Sequence, residues 1–207
     1  GTGANAGGFD ESGKITFGAT TQGVSITGLV TNSATNSFTL TGTGPSVTIL
    51  SGCGRITFAT TNAGGTDLTL TGGVTNSSSG FSFAGTVGSG TIFCSARGTA
   101  TVTSGSIANN SSNTGTLNGN IDFTAAATGA VTVTGSVTMD NSAGTGDIII
   151  GSVGGGVATA ISGAVSNARS ATGALITFTN TTTNTSVGSL SQTGTGQITF
   201  ASLAGTI

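Results

Sequence analysis

A short apolar triplet, Ile-x-Phe or a near relative, recurs seven times along this 207-residue chain. The copies are Ile15-Thr16-Phe17, Ile56-Thr57-Phe58, Ile92-Phe93-Cys94, Ile121-Asp122-Phe123, Ile148-Ile149-Ile150, Ile176-Thr177-Phe178 and Ile198-Thr199-Phe200. First and third residues are apolar and the middle one is usually Thr, a period of two that marks a β-strand with one buried face. Ten to fourteen residues after each of the first six triplets comes a second word, clearest as Ile26-Thr27-Gly28-Leu29-Val30-Thr31-Asn32. Leu70–Asn76, Val133–Thr138 and Ile161–Asn167 repeat it, and weaker forms begin at Val102 and Val187. Alternation puts Val24, Ile26, Gly28 and Val30 on one face and Ser25, Thr27, Leu29 and Thr31 on the other. A Gly recurring inside a strand marks a bend or a close backbone approach. Here it is expected to let each coil turn a corner without a side chain blocking the axis.

Self-similar units a few tens of residues long predict a stack rather than a conventional globule. The expected fold is all-β, a single-stack parallel β-solenoid of about seven irregular coils forming one domain over 1–207. A right-handed β-helix is the default for parallel crossovers. Seven coils at about 4.8 Å each make a rod roughly 34 Å long. Ile15, Phe17, Ile56, Phe58, Ile121, Phe123, Ile176, Phe178, Ile198 and Phe200 are its predicted core columns. Triplet spacings of 41, 36, 29, 27, 28 and 22 residues assign the length variation to corner loops. Clusters at Thr31–Ser37, Asn76–Gly80, Asn109–Gly115 and Asn180–Ser186 carry the turn residues. The two longest repeats leave room for extra strands at Phe38–Thr41 with Val47–Leu50, and at Phe81–Phe83. Val157, Ile161, Val165 and Ala168 also have helical spacing, yet the match of Ile161–Asn167 to the second word predicts strand.

Composition agrees with a stack. The chain has 38 Gly, one Pro, no His, Trp or Tyr, and a net charge of -2. Its β-branched residues and low net charge argue against disorder. A charge kept at one position of a stacked repeat becomes a ladder of like charges, which destabilises a sheet. Four cations, Lys14, Arg55, Arg97 and Arg169, are too few for a phosphate-binding surface, so no nucleic acid partner is expected. Uncharged runs are broken by Gly, Ser and Thr, so no membrane-spanning segment is expected. The aromatic girdles of a membrane barrel are missing as well.

Candidate chemistry is sparse. Cys53 and Cys94 lie 41 residues apart, and a strict 41-residue frame would stack them within reach of a disulfide. The triplet frame instead offsets them by five residues, roughly 16 Å along a strand, and turns Cys94 inward. The triplet frame is preferred, with a Cys53–Cys94 bridge left open. Without His, no Ser-His-Asp or Cys-His nucleophile exists. Acid pairs for polysaccharide cleavage are Asp140 with Asp147 and Asp67 with Asp122, and Asp140-Asn141 to Asp147 is a short calcium-like loop. Dispersed acids of this kind read as solvated loop residues, so no enzyme activity, catalytic residue, metal or cofactor is expected. Thr-x-Thr words at Thr39–Thr41, Thr69–Thr71, Thr101–Thr103, Thr132–Thr134 and Thr177–Thr179 raise an ice-binding face, but they sit at different phases of the repeat. Sequons at Asn76, Asn109, Asn110, Asn180 and Asn184 say that these loops are accessible.

Repeated Ile-Thr-Phe and Leu-Thr-Gly-x-Val-Thr-Asn words with few charges resemble the passenger regions of filamentous-haemagglutinin-like and autotransporter-type bacterial surface proteins. The likeness covers most of the chain and is one of repeat style. It implies a secreted β-solenoid at the cell surface, a structural part of a fibre, filament or adhesin stalk. Possible partners are surface glycans or a host or neighbour cell. Residue 1 is Gly and the seventh triplet opens a new coil, so the chain is expected to be a segment of a longer one or one unit of a filament. Ends then meet by end-to-end self-association or by continuation of the chain. An ice-binding solenoid, and a polysaccharide-binding or -cleaving β-helix, are the alternatives.

Overall fold

The computed structural model describes residues 15–19, 24–33, 35–36, 56–60, 67–77, 79–80, 92–95, 101–110, 120–125, 129–139, 146–152, 158–169, 174–179, 184–193 and 196–201. Coil 1 contains β1 (Ile15–Ala19), β2 (Val24–Ile26), β3 (Val30–Asn32) and the short β4 (Thr35–Asn36). Coil 2 repeats them as β5 (Ile56–Thr60), β6 (Leu68–Leu70), β7 (Val74–Asn76) and β8 (Ser79–Gly80). Coils 3 and 4 have three strands each: β9 (Ile92–Ser95), β10 (Val102–Ser104) and β11 (Ile107–Asn109), then β12 (Ile121–Ala125), β13 (Val131–Val133) and β14 (Val137–Met139). Coil 5 is β15 (Ile148–Ser152) with the long β16 (Thr159–Asn167), and coil 6 is β17 (Leu175–Phe178) with β18 (Thr185–Gln192). A seventh coil contributes β19 (Gln197–Phe200). No helix occurs among the described residues, so none crosses a membrane. The segment with helical spacing is strand β16. The extra strands expected at Phe38–Thr41, Val47–Leu50 and Phe81–Phe83 lie outside the described residues.

Among the described residues all pairings are parallel, and coil stacks on coil, as a β-solenoid requires. Sheet A runs β1-β5-β9-β12-β15-β17-β19. Its seven triplets align residue for residue, with Ile15 on Ile56, Ile92, Ile121, Ile148, Ile176 and Ile198 in turn. Sheet B stacks the second words on both sides of a bend. Its inward columns are Val24-Leu68-Val102-Val131-Thr159-Thr185, Ile26-Leu70-Ser104-Val133-Ile161-Val187 and Val30-Val74-Ile107-Val137-Val165-Leu190. Together with the Ile and Phe columns of sheet A they close a single apolar core. Ile56, Phe58, Ile121, Phe123, Ile176 and Phe178 are buried in it. Ile15, Phe17 and Phe200 are only partly buried against it, and Ile198 is 39 % exposed. Ile198 was expected inside, but among the described residues no strand lies over β19.

The weaker second words have a geometric cause. Val102 does not begin the word as expected. It pairs with Leu68 and Val131, and Ser104 takes the seat of Leu70 and Val133. Ser104 to Ile107 is three residues, where Leu70 to Val74 is four. Coil 6 is shortened in the same place, and β18 shifts register against β16 between Ile161 and Ala164. One residue fewer at the bend hides the word from a sequence comparison while leaving the strands on either side stacked.

The bend also corrects the expected role of its glycines. A Cβ on Gly163 would lie 2.7 Å from Gly135 O, and one on Gly188 would lie 2.6 Å from Ser162 O. What excludes a side chain is the backbone of the coil beneath, not the hollow of the coil itself. Gly73 adds a left-handed conformation, φ 82°, that favours Gly regardless of space. Gly28, in the first coil, has nothing within 4 Å of such a Cβ. Gly163→Ala is therefore expected to destabilise the fold by about 1–3 kcal/mol. Gly28→Ala is expected to stay within about 0.5 kcal/mol of the parent. Urea unfolding of the two variants checks the pair, and equal losses at both sites would contradict the close-approach account.

Candidate functional site

The inward side of sheet B ends in a column of amides that periodicity did not reveal. Asn32, Asn76, Asn109, Met139, Asn167 and Gln192 stack in register, and the four Asn are at most 3 % exposed. Burying an amide is costly unless its hydrogen bonds are made. Asn109 Nδ2, at the end of β11 in sheet B, donates to Asn120 O at 3.1 Å, just ahead of β12 in sheet A. Asn167 Nδ2 makes the equivalent contact two coils on, donating to Leu175 O at 3.3 Å, and reaches down to Gly146 O at 3.0 Å. Gly146 belongs to the turn of coil 4, where Met139 has no amide to offer. Asn167 Oδ1 in turn accepts the Arg169 N–H at 3.1 Å. The signal was present as the Asn that closes the second word, but Asn reads as a loop former when taken alone.

A second polar ladder sits just ahead of the triplets. Asp147 N donates to Asn120 Oδ1 at 3.0 Å, and Leu175 N donates to Asp147 Oδ1 at 2.9 Å. On the other sheet, Thr101 N donates to Asp67 Oδ1 at 2.9 Å. Side-chain oxygens thus bind the next coil's amides where the backbone ladder begins. Asp147 is half-buried and built into the wall, which corrects its reading as a solvated loop residue. Its proposed partner Asp140, and Asn141 of the calcium-like loop, lie outside the described residues. Asp67 and Asp122 belong to different sheets and to coils two levels apart, so the fold does not bring that pair together. Among the described residues no group of three acids or thiols is placed to hold a metal ion.

Arg169 is the one described cation at this corner and is 1 % exposed. Burial pushes the Asp147 carboxyl up from its ordinary range, while the Leu175 amide and the Arg169 charge pull it back by less. Cys94 is a free thiol at the Phe position of its triplet, between Phe58 and Phe123, and burial with the nearby Asp122 charge raises it well above the usual range. Cys53 lies outside the described residues. Of the sequons, Asn76 and Asn109 are wholly buried, which corrects their reading as accessible; Asn184 is exposed and Asn180 lies outside the description.

The outward face of sheet B is a field of small hydroxyls. Ser25, Thr69, Thr103, Thr132, Ala160 and Ser186 form one column, and Thr31, Thr75, Ala108, Thr138, Ser166 and Ser191 another. The Thr-x-Thr words contribute unevenly. Thr69, Thr103 and Thr132 share a column, Thr177 is on sheet A, and Thr39–Thr41 lies outside the described residues. No family model, curated protein or solved structure matches this chain.

Two outcomes follow from the corner. Asn167→Ala removes the hydrogen bonds to the buried Gly146 carbonyl and Arg169 N–H and to the half-buried Leu175 carbonyl, and is expected to cost about 3 kcal/mol in chemical denaturation. The folded Asp147 carboxyl titrates above its unfolded value. Its contribution is therefore present in acid, below the ordinary Asp range, and is lost as pH rises through the raised value. Asp147→Asn keeps the acceptor for Leu175, so stability measured from acid to neutral pH should fall less with rising pH than in the parent. An unchanged slope would contradict that assignment.

Proposed function

We propose that this chain is an extracellular structural protein, a solenoid segment of a cell-surface fibre, filament or adhesin stalk. One observation carries the reading: a single register repeats through all seven levels of sheet A. In such a stack the backbone ladders run along the axis and the Ile and Phe columns fill it. Its regularity favours length and stiffness over a shaped pocket. Asp67 and Asp147 are used as ladder acceptors, and Asp67 and Asp122 stand two coils apart, which weakens the polysaccharide-cleaving alternative. The resemblance in repeat style to bacterial surface passengers supports the same location. Immunogold electron microscopy of the native cells is expected to show the chain in extended rods or fibres outside the envelope, and label confined to the cytoplasm would overturn the proposal.

The hydroxyl columns of sheet B favour one second reading, an ice-binding face. Ser25, Thr69, Thr103 and Thr132 repeat a hydroxyl at strand spacing on four consecutive levels. Ala108 and Ala160 interrupt the columns, which is why this reading stands second. Thermal hysteresis at millimolar protein is the expected sign, and unchanged ice growth removes it.

A further inference from the structure

Coil 3 departs from the regular stack at two inward positions of one level. Cys94 stands where Phe58 and Phe123, in the coils on either side, carry rings, and Ser104 takes the seat of Leu70 and Val133. Both columns line the apolar core, and neither residue is more than 1 % exposed. Ser104 Oγ is buried and meets no hydrogen-bond partner among the described residues. A buried hydroxyl in that state is costly.

The ladders keep the walls of coil 3 apart. Its bend is one residue shorter, yet Val102 stays in register with Leu68 and Val131, and Ile107 with Val74 and Val137. On the other sheet Ile92 is held between Ile56 and Ile121. Coils 2 and 4 thus fix the width of coil 3, while its side chains are smaller. Interiors are close-packed, and a core relaxes only partly around a smaller residue.

The Phe column sets the shape of the room that results. Phe58 and Phe123 are two levels apart, about 9.6 Å. A flat ring between them, beyond the thiol, would lie about 4.8 Å from each. Adjacent rings of this column stack at such distances, Phe17 on Phe58 at 5.2 Å and 5°, Phe178 on Phe200 at 4.8 Å and 7°. Sulfur makes favourable contact with a ring edge, and burial keeps the Cys94 thiol protonated. The first limb of sheet B lies close against sheet A, as β2 against β1 and β13 against β15. Ser104 on that limb supplies one unpaired hydrogen-bonding group. In an engineered core, an apolar cavity lined by Leu, Ile and Phe binds benzene.

We infer that coil 3 binds one small, flat, uncharged aromatic molecule of the phenol class, its ring between Phe58 and Phe123 and its hydroxyl on Ser104 Oγ. A charged ring would find no counter-ion among the described inward residues of this coil, Ile92, Cys94, Val102, Ser104, Ile107 and Asn109. The site goes beyond the structural reading above and holds wherever the chain is located.

The chain has no Trp or Tyr, so phenol fluorescence can be read without overlap. Equilibrium dialysis of the full chain against phenol is expected to show one bound molecule per chain. Cys94→Phe, which completes the ring column, is expected to lower phenol affinity roughly tenfold or more with an unchanged far-UV spectrum. Ser104→Ala is expected to weaken phenol several-fold while leaving toluene, read by its displacement of phenol, unchanged. General loosening of the fold would not split the two probes in that way. Should Cys94→Phe fail to fold, the phenol-to-toluene ratio in Ser104→Ala decides alone. No bound phenol in the parent, full binding in a folded Cys94→Phe, or equal loss of both probes in Ser104→Ala overturns the site.

Discussion

The parallel ladder that binds each coil to the next governs everything else in this molecule. It sets every residue about 4.8 Å from its counterpart above and below, so each position must tolerate near copies of itself in a row. Ile and Phe satisfy that condition by stacking, as the near-parallel rings at both ends of the Phe column show. Thr and Ser satisfy it on the outside without building up charge. At the bend the coils approach so closely that Gly lies over Gly, as with Gly163 over Gly135.

Positions that break a column show how the stack absorbs irregularity. Met139 interrupts the amide column, and Asn167 answers by reaching down to Gly146 O. Cys94 stands in the Phe column as a smaller apolar residue. Coils 3 and 6 drop a residue at the bend and recover their register within the same strand pair. The charged groups at the corner are tolerated because each is used once. Asp147 accepts from the next coil's amide, and Arg169 stands near enough to oppose the rise in its titration.

The chemistry follows from the same constraint. Asp67 and Asp147 each accept from the next coil's amide and so are used within the wall. The described outward columns of sheet B are uncharged.

The fold was largely legible because alternation within Ile15–Phe17 and its copies is local, and a strand's buried face is written at every second residue. Spacing between the copies then named a stack. The corner was not legible, because whether Asn109 or Asn167 is a solvated turn or a buried clamp depends on which carbonyls the next turn brings within 3.1 or 3.3 Å. Likewise Asp147 and Asp67 are acids in loops until the neighbouring coil supplies an amide. Sequence alone determined the strands, their faces and the neutral character of the columns, since these depend on residues adjacent in the chain. Tertiary structure alone decided register at the shortened bends and the burial of the amide column, since each of these is a relation between coils some thirty residues apart.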